Sequence, residues 1–244
     1  NILEDREKNL EGVNHSVKYI LKQKKLGILK GIHTTVAGII STEQEYSVAI
    51  EIALSSSAQN IVVDDEISAR NAIAALKNSG TGRATFLPLT SIKGKEFYDN
   101  GVKNENGFVG IASDLIKYDK IYNQIILNIL GRTVIVTDID KGIQIAKKYK
   151  NSFKIVTLDG QILNAGGSMT GGSISKKTGL LTRQSQILSL SKEISDYNKK
   201  LTEKLPYIEE TSNRLKLIAC QIDALTSAIK ASEDELISFK SELN

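Results

Sequence analysis

A repeat of apolar residues at every seventh position dominates the C-terminal quarter of the chain and limits what it can fold into. The repeat has eight consecutive members, which are Ile187, Ile194, Leu201, Ile208, Leu215, Ile222, Ile229 and Leu236. Five further apolar residues follow members by three places, namely Leu190, Tyr197, Ile218, Leu225 and Phe239. This pattern is typical of a left-handed coiled coil, whereas a helix packed on a domain rarely keeps the phase so long. Residues 182–244 are therefore predicted to form a coiled-coil helix.

Pro206 interrupts this predicted helix. Proline removes a backbone hydrogen bond and clashes with the preceding turn, so we expect a break near residue 206. A shorter heptad pattern occupies the other end of the chain, at Leu3, Leu10 and Val17, with Val13 and Ile20 three places on. Residues 1–26 are therefore predicted as a second coiled-coil helix. If the two helices pair with each other, they run antiparallel.

The middle of the chain has the pattern of an α/β (α+β) fold with mixed sheets, built from two related subdomains. Each copy is a helix, a strand that ends in aspartate, a helix and a second strand. The predicted segments are 42–57 (N-capped by Thr42), 60–65, 66–80 and 83–89, then 115–131, 133–138, 139–150 and 153–160. The polar stretch 91–108 separates the copies. We therefore place subdomain 1 at 27–95, a linker at 96–108 and subdomain 2 at 109–181.

Composition narrows the functional classes. One cysteine, Cys220, gives neither an internal disulfide nor a cysteine metal cluster, which fits an intracellular, reducing compartment. No apolar run approaches the roughly 18 residues that span a bilayer, and the N-terminus is not a signal peptide. The chain begins at Asn1 rather than Met, so we expect it to be part of a longer protein.

Four glycines crowd the stretch GGSMTGGS, which is residues 166–173. Such a cluster indicates that backbone comes close to a phosphate, to the chain itself or to another protein. A phosphate loop needs a lysine after its last glycine, but Ser173 stands there, and the spacing is not that of a dinucleotide fingerprint. The cluster therefore favours contact between backbones.

The segment DGQILNAGGSMTGGSISKKTGLLTR, together with GIHTTVAGII, RATFLPL and LGRTVIVTDIDKGIQIAKK, resembles the hinge domain of SMC proteins, the chromosome-organising ATPases of the condensin and cohesin type. The resemblance covers about residues 27–185 and is greatest to bacterial members. It implies a homodimer in which subdomain 1 of each protomer meets subdomain 2 of the other. The implied interface residues are Gly166, Gly167, Ser168, Met169, Thr170, Gly171 and Gly172. Thr182 departs from the family, which more often has glycine after the Leu-Leu pair.

The charge distribution adds a second expected surface. Residues 12–42 and 160–192 contain no Asp or Glu, although the chain as a whole carries 28 acidic residues and a net charge of +4. These windows form the entrance to and exit from the middle of the chain, so they are expected to converge. We predict a non-specific DNA-backbone patch there, as the family has, and a solvated helix face is the alternative. The predicted DNA-binding residues are Lys22, Lys24, Lys25, Lys30, Lys176, Lys177 and Arg183.

No catalytic constellation, metal site or cofactor site emerges from the sequence. His15 and His33 are predicted to lie far from any carboxylate cluster, and Asp64-Asp65 is predicted to cap the next helix. The resemblance places the ATPase heads, and contacts with other condensin-type subunits, outside this segment. It implies a cytoplasmic, nucleoid-associated protein. The alternative is a nucleotide- or metabolite-binding α/β enzyme domain with helical extensions.

Overall fold

The computed structural model describes residues 12–97, 101–173 and 179–242, and the chain divides into two compact units, residues 1–189 and 190–244. The α-helices of the described part are α1 His15–Lys25, α2 Val36–Ile39, α3 Gln44–Leu54, α4 Glu66–Ser79, α5 Asn123–Leu130, α6 Ile139–Lys148 and α7 Leu180–Glu242. The strands are β1 Ile32–Thr35, β2 Ile40–Thr42, β3 Ile61–Val63, β4 Phe86–Pro88, β5 Phe108–Ile111, β6 Ile116–Tyr118, β7 Thr133–Val136, β8 Lys154–Thr157, β9 Ile162–Leu163 and β10 Met169–Thr170. Short 3-10 helices are Ser55–Gln59, Val102–Asn104 and Lys120–Tyr122.

The duplicated unit predicted from the sequence is present. In the first copy β3 and β4 pair in parallel across α4, and in the second β7 and β8 pair in parallel across α6. Asp65 caps α4 by accepting from the Ser68 N–H at 2.7 Å, and Asp138 caps α6 by accepting from the Lys141 N–H at 2.9 Å. The two subdomains therefore begin their crossover helices in the same way.

Three sheets organise the first unit. The orders are β1-β3-β4 in subdomain 1, β10-β9-β8-β7-β5 in subdomain 2, and a two-stranded ribbon of β2 with β6. The ribbon joins the subdomains, since Ile40 lies opposite Tyr118 and Thr42 opposite Ile116. The helix predicted over 115–131 is thus wrong in its first half, because β2 recruits residues 116–118 as a strand. Thr42 likewise lies in β2, and the N-cap residue of α3 is Glu43.

A shared hydrophobic core holds the two subdomains together. Its buried side chains include Ile50 from α3, Ile126 from α5, Val156 from β8 and Leu181 from the start of α7. Smaller clusters lie on the far side of each sheet, around Ile61 in subdomain 1 and around Ile155 in subdomain 2. Since each mixed sheet is covered on both faces, its central strands are apolar throughout rather than alternating.

The described residues of the expected linker at 96–108, which are 96–97 and 101–108, pack onto subdomain 2. Val102 is fully buried in the cluster around Ile155, and Phe97 and Phe108 pack against that cluster. Glu105 accepts from the Lys148 Nζ at 2.5 Å and from the Tyr149 hydroxyl at 2.9 Å, which fastens the segment to the end of α6. Glu105 is half-buried by these contacts, whereas the polar residues 103, 104 and 106 are exposed.

Helix α1 also belongs to the globular unit. Val17 and Ile20, which follow the heptad spacing, are buried against subdomain 1 with Ile61, Ala72 and Leu76. The apolar stripe of residues 15–25 therefore covers a sheet and a neighbouring helix rather than a coiled-coil seam, so the predicted domain boundary at residue 26 does not separate α1 from subdomain 1. Leu3 and Leu10 of the same pattern lie outside the described residues.

Helix α7 is continuous from Leu180 to Glu242 with Pro206 inside it, so the expected break is wrong. Proline at 206 removes one N–H donor from the helix, but the backbone is helical on both sides of it. Beyond residue 189 the heptad side chains are exposed, for example Leu201 and Ile222 at 57% each. The second unit thus presents an apolar stripe along a single helix, and its pairing as a coiled coil remains a prediction.

Candidate dimer interface and basic surface

The glycine-rich segment forms a hairpin at the edge of the five-stranded sheet. β10 pairs antiparallel with β9, with Met169 opposite Leu163 and Thr170 opposite Ile162. The connecting turn is closed by Gly167 N–H to Asn164 O at 3.0 Å and by Asn164 N–H to Ser168 O at 2.8 Å. Residues 166–172 are exposed, and the Met169 side chain is 55% exposed. In the described residues no strand covers the other side of β10.

The outward-facing backbone groups of β10 follow from the ladder. Hydrogen-bonded and non-hydrogen-bonded pairs alternate along an antiparallel ladder. Because Asn164 donates to Ser168, the next pair, Leu163 with Met169, is non-hydrogen-bonded. The N–H and C=O of Met169 therefore point away from β9. An extended segment added at this edge would find them unpaired with any described strand, which is the geometry of β-strand addition.

The four glycines serve different needs of the hairpin itself. Gly166 and Gly167 form the turn with φ of 88° and 97°, and Gly172 has φ of 139°, all values that favour glycine. Gly171 has ordinary φ, but a Cβ there would overlap the side-chain oxygen of Gln161. The cluster thus shapes its own edge strand, and closeness to a second backbone is a proposal that builds on this shape.

The basic residues predicted to bind DNA differ in exposure, and those of α1 and the loop after it are exposed. Lys22, Lys24 and Lys25 form the last turn of α1 and are exposed, as is Lys30 in the following loop. Lys24 Nζ donates to the His33 carbonyl at 2.5 Å, which holds this lysine against β1. Leu26 and Ile28 are exposed between the lysines, at 61% and 65%. The surface is therefore basic with an apolar rim.

Two members of the predicted patch lie outside the described residues, and a third is buried. The two that lie outside the described residues are Lys176 and Lys177. Arg183 retains only 8% of its surface exposed, because it lies in the first turns of α7 next to the fully packed Leu181. Little of the Arg183 surface is therefore open to a phosphate in solvent, and its contact with DNA stays a prediction.

A polar cluster beside the basic surface gives His33 one carboxylate partner, Asp64, and one tyrosine partner, Tyr122. The His33 Nε2 lies 2.7 Å from Asp64 Oδ1, and Nδ1 lies 3.0 Å from the Tyr122 hydroxyl. Burial, assisted by the negative charges of Asp119 and Asp64, raises the pKa of Tyr122, so the phenol stays neutral and holds its proton. The cluster thus links β1 of subdomain 1 with the turn before α5 of subdomain 2.

The start of α7 is fixed by a carboxylate from α3. Glu51 Oε2 accepts from the Thr182 N–H at 3.2 Å and from the Thr182 hydroxyl at 2.8 Å. An acceptor at this end satisfies an N–H that has no intrahelical partner and complements the helix dipole. Thr182, the departure from the family pattern, supplies both donors of this contact.

Sequence reasoning missed Glu51, Gln161 and the partners of His33. Glu51 lies on the polar face of a predicted amphipathic helix, where a solvent-facing carboxylate is ordinary. Gln161 stands inside the quoted glycine segment, but its role depends on a turn that brings it opposite Gly171. Since both contacts join residues through tertiary structure, no spacing in the chain signals them.

The geometry defined above, two related α/β subdomains with a shared core and an exposed glycine-rich edge strand, matches one family. Residues 29–146 match the model described as the SMC proteins flexible hinge domain. The crystal structure of an asymmetric dimer of the Geobacillus stearothermophilus SMC hinge domain is 36% identical, with a TM-score of 0.74 over 82% of this chain and 81% of that one. The Pyrococcus furiosus SMC hinge domain is 31% identical, with a TM-score of 0.56 over 73% of this chain and 92% of that one. The chain belongs to the SMC hinge domain family.

Proteins that are similar to this chain in sequence carry the name chromosome partition protein Smc. That of Bacillus subtilis is 40% identical over 221 residues, which are 88% of this chain and 18% of the relative. That of Halothermothrix orenii is 42% identical over 205 residues, 83% of this chain and 17% of the relative. The chain thus spans less than a fifth of the length of these relatives.

Among the described residues, 12–97, 101–173 and 179–242, no helix has the length and apolar character that a membrane crossing requires. In the same ranges, no group of three or more histidine, cysteine or carboxylate side chains is placed to hold a metal ion. The turn at Gly166 and Gly167 leads into β10 rather than into a helix, so it does not have the strand-to-helix form of a phosphate-binding loop.

Proposed function

We propose that this chain is the homodimerisation hinge of a bacterial, condensin-type SMC protein. The observation that carries the proposal is the open edge of β10, where Met169 presents its backbone groups to a second copy. Subdomain 1 ends in sheet edges of its own, since β1 and β4 flank β3. Pairing β10 of each protomer with the subdomain 1 sheet of the other makes two equivalent contacts, and two copies suffice to close them. The G. stearothermophilus relative is described as an asymmetric dimer, which supports the association of two copies.

Removing one outward donor tests the proposal. Met169→Pro deletes the N–H that faces the partner, and edge strands tolerate proline where that N–H points to solvent. We expect the dimer dissociation constant to rise at least tenfold in sedimentation equilibrium, with the circular dichroism of the monomer unchanged. Met169→Ala keeps the N–H and is the matched control.

Equal dissociation constants for native and Met169→Pro would contradict pairing through β10. A native chain that stays monomeric at all concentrations and binds a nucleotide would instead favour the alternative of a nucleotide- or metabolite-binding α/β enzyme domain.

The basic surface at the end of α1 supports a second role, contact with DNA without sequence preference. Lys22, Lys24 and Lys25 lie in the last turn of α1 and are exposed, while few aromatic side chains accompany them. Contacts of lysine with phosphates carry no sequence information. Lys30, Lys176 and Lys177 extend the surface in this proposal.

Charge reversal measures the DNA contact. Changing Lys22, Lys24 and Lys25 to glutamate removes about three phosphate contacts, which makes the negative slope of log K against log salt shallower by about 3. Fluorescence anisotropy with a labelled duplex at several salt concentrations gives this slope. Three exposed lysines of subdomain 2, Lys103, Lys117 and Lys147, changed to glutamate, are the control for net charge. Equal losses in both triple variants would mean that α1 is ordinary solvated surface.

The whole protein extends well beyond this segment. We propose that it acts in chromosome partition, the role that the names of its relatives state, and that it is cytoplasmic and nucleoid-associated. The heptad side chains of α7 would pair with the segment that precedes α1 to form an antiparallel coiled coil. The hinge would join two such arms, and ATPase heads and further subunits would act through parts of the protein outside this chain.

A further inference from the structure

The Gln161 side chain hydrogen-bonds to the backbone of Gly172, two residues beyond the end of β10. Its Oε1 accepts from the Gly172 N–H at 3.0 Å, and its Nε2 lies 3.4 Å from the Gly172 carbonyl oxygen. One primary amide thus meets both backbone groups of one residue, as a neighbouring peptide would. The Gln161 backbone is itself held in the turn, where its N–H donates to the Thr157 hydroxyl at 2.8 Å and its C=O accepts from the Thr157 N–H at 2.9 Å.

This contact replaces a missing step of the β9–β10 ladder. The register that sets Thr170 opposite Ile162 would place Gly172 opposite Gly160, in a hydrogen-bonded position. Gly160 is not available, because its N–H closes the preceding turn on the Thr157 carbonyl at 2.9 Å. The Gln161 side chain occupies the position of the lost step. Inward hydrogen bonding of the chain is thereby continued to Gly172, although backbone pairing with β9 ends at Thr170.

The continuation has a consequence for the open edge. With Gly172 bonded inward, Gly171 is the next residue after Met169 whose N–H and C=O point outward. Gly171 also has to be glycine for this arrangement, because a Cβ there would overlap Gln161 Oε1. Without the Gln161 side chain, only Met169 would be held with its backbone groups pointing outward at this edge. With that side chain, both Met169 and Gly171 are held in this way.

We propose that Gln161 is a positioning residue for dimerisation, which fixes Gly171 so that the edge offers the outward groups of both Met169 and Gly171 to a second copy of the chain. The inference rests on the proposed function and deepens it. It also assigns Gly171 to accommodating a side chain of its own protomer, rather than to accommodating the partner.

A double-mutant cycle between Gln161 and Gly171 tests this assignment. Gln161→Ala is expected to raise the dimer dissociation constant about tenfold, and Gly171→Ala to raise it by a similar factor by displacing the amide. In the Gln161→Ala background, Gly171→Ala should add less than about twofold. If Gly171→Ala is equally damaging in both backgrounds, the glycine serves the partner and the inference is wrong. Gln144→Ala, an exposed glutamine of α6, is the control.

Gln161→Glu separates positioning from a general loss of stability. Glutamate keeps the acceptor for the Gly172 N–H but sets a carboxylate oxygen against the Gly172 carbonyl and against Asp159 Oδ2, which lies 3.5 Å from the native amide nitrogen, so dimerisation should weaken near pH 8. Protonation of the carboxyl near its usual pKa of about 4.3 restores a donor. We expect the dimer to recover about tenfold in affinity relative to the native chain as the pH falls to about 4. A pH-independent ratio to the native chain would overturn the role of the donor.

Hydrogen exchange at the Gly172 amide distinguishes failure of this inference from failure of the proposed function. In the monomer at low concentration, this amide should exchange at least tenfold faster in Gln161→Ala than in the native chain. Unchanged exchange means that Gln161 does not hold Gly172. Faster exchange with an unchanged dissociation constant means that the contact exists without serving dimerisation. A native chain that never dimerises contradicts the proposed function, and protection of Gly172 there still shows the contact.

Discussion

Aspartates at the ends of the two equivalent strands β3 and β7 determine how each crossover helix begins. The Lys141 N–H, and after it the Thr137 hydroxyl, lower the pKa of Asp138, and the Ser68 N–H and hydroxyl lower the pKa of Asp65. In both cases burial opposes the shift and is the smaller effect. The charged form of each cap is therefore the one that the folded chain prefers.

The Asp138 cap makes stability depend on pH in a defined direction. Because its folded pKa lies below the unfolded value, its stabilisation is complete above the unfolded pKa and disappears as the pH falls through the folded one. Asp138→Asn retains a capping oxygen without the charge. We expect the native chain to lose more stability than Asp138→Asn between about pH 6 and pH 2. Urea unfolding at several pH values measures this, and parallel curves would contradict it.

Capping also shows what a single residue reveals before the fold is known. Asp65 and Asp138 stand directly before helical periodicity, so their roles could be predicted. Thr42 offered a similar signal before α3, but β2 extends through it, and its hydroxyl donates instead to the Leu115 carbonyl at 2.8 Å. A cap preference is local, whereas recruitment into a strand depends on β6, which lies far along the chain.

At the scale of elements, the segment before β5 is a structural part of subdomain 2. Val102→Ala would leave a cavity among Val136, Ile145 and Phe153 of the same cluster. We expect the change to destabilise the chain by about 2 kcal/mol, since two buried methyl groups are lost. Urea denaturation measures the loss.

Asn104, exposed in the same short helix, provides the control for Val102. Asn104→Ala should change the free energy of unfolding by less than about 0.5 kcal/mol. If Val102→Ala were as mild as this control, the segment would behave as the solvated linker that its polar composition predicts.

The elements that periodicity identified and those that it missed differ in where their partners lie. α4, α6, β7 and β8 carry their own signals, since each has a dense apolar pattern bounded by capping or turn residues. β6 and β10 are two or three residues long and exist because β2 and β9 pair with them. The glycine cluster was recognisable as a site, whereas the role of each glycine required the turn and the Gln161 side chain.

For the whole molecule, the contact of Glu51 with Thr182 joins the globular unit to the first turn of α7. Glu51→Ala removes an acceptor that is charged and shared by two donors, which typically contributes more than a neutral hydrogen bond. We expect the amides of residues 182–186 to exchange at least tenfold faster, with those of β7 and β8 unchanged. Hydrogen exchange read by mass spectrometry gives both.

Glu45, also on α3 but exposed near its start, is the matched control for Glu51. Glu45→Ala should leave the exchange of residues 182–186 at the native rate. Faster exchange throughout the first unit in Glu51→Ala would mean that the residue supports the fold in general and not the start of α7.

The shared core constrains where the assembly can yield under load. Leu181 is the second residue of α7 and lies in the same buried cluster as Ile50 and Val156, which come from different subdomains. Tension applied along α7 therefore meets densely packed side chains before it reaches the hairpin at 166–172, which is exposed and lies outside that cluster. Under the proposed pairing through β10, the packed core that carries load and the contact between two copies belong to separate parts of the protomer, so the contact can open and reform while each copy stays folded.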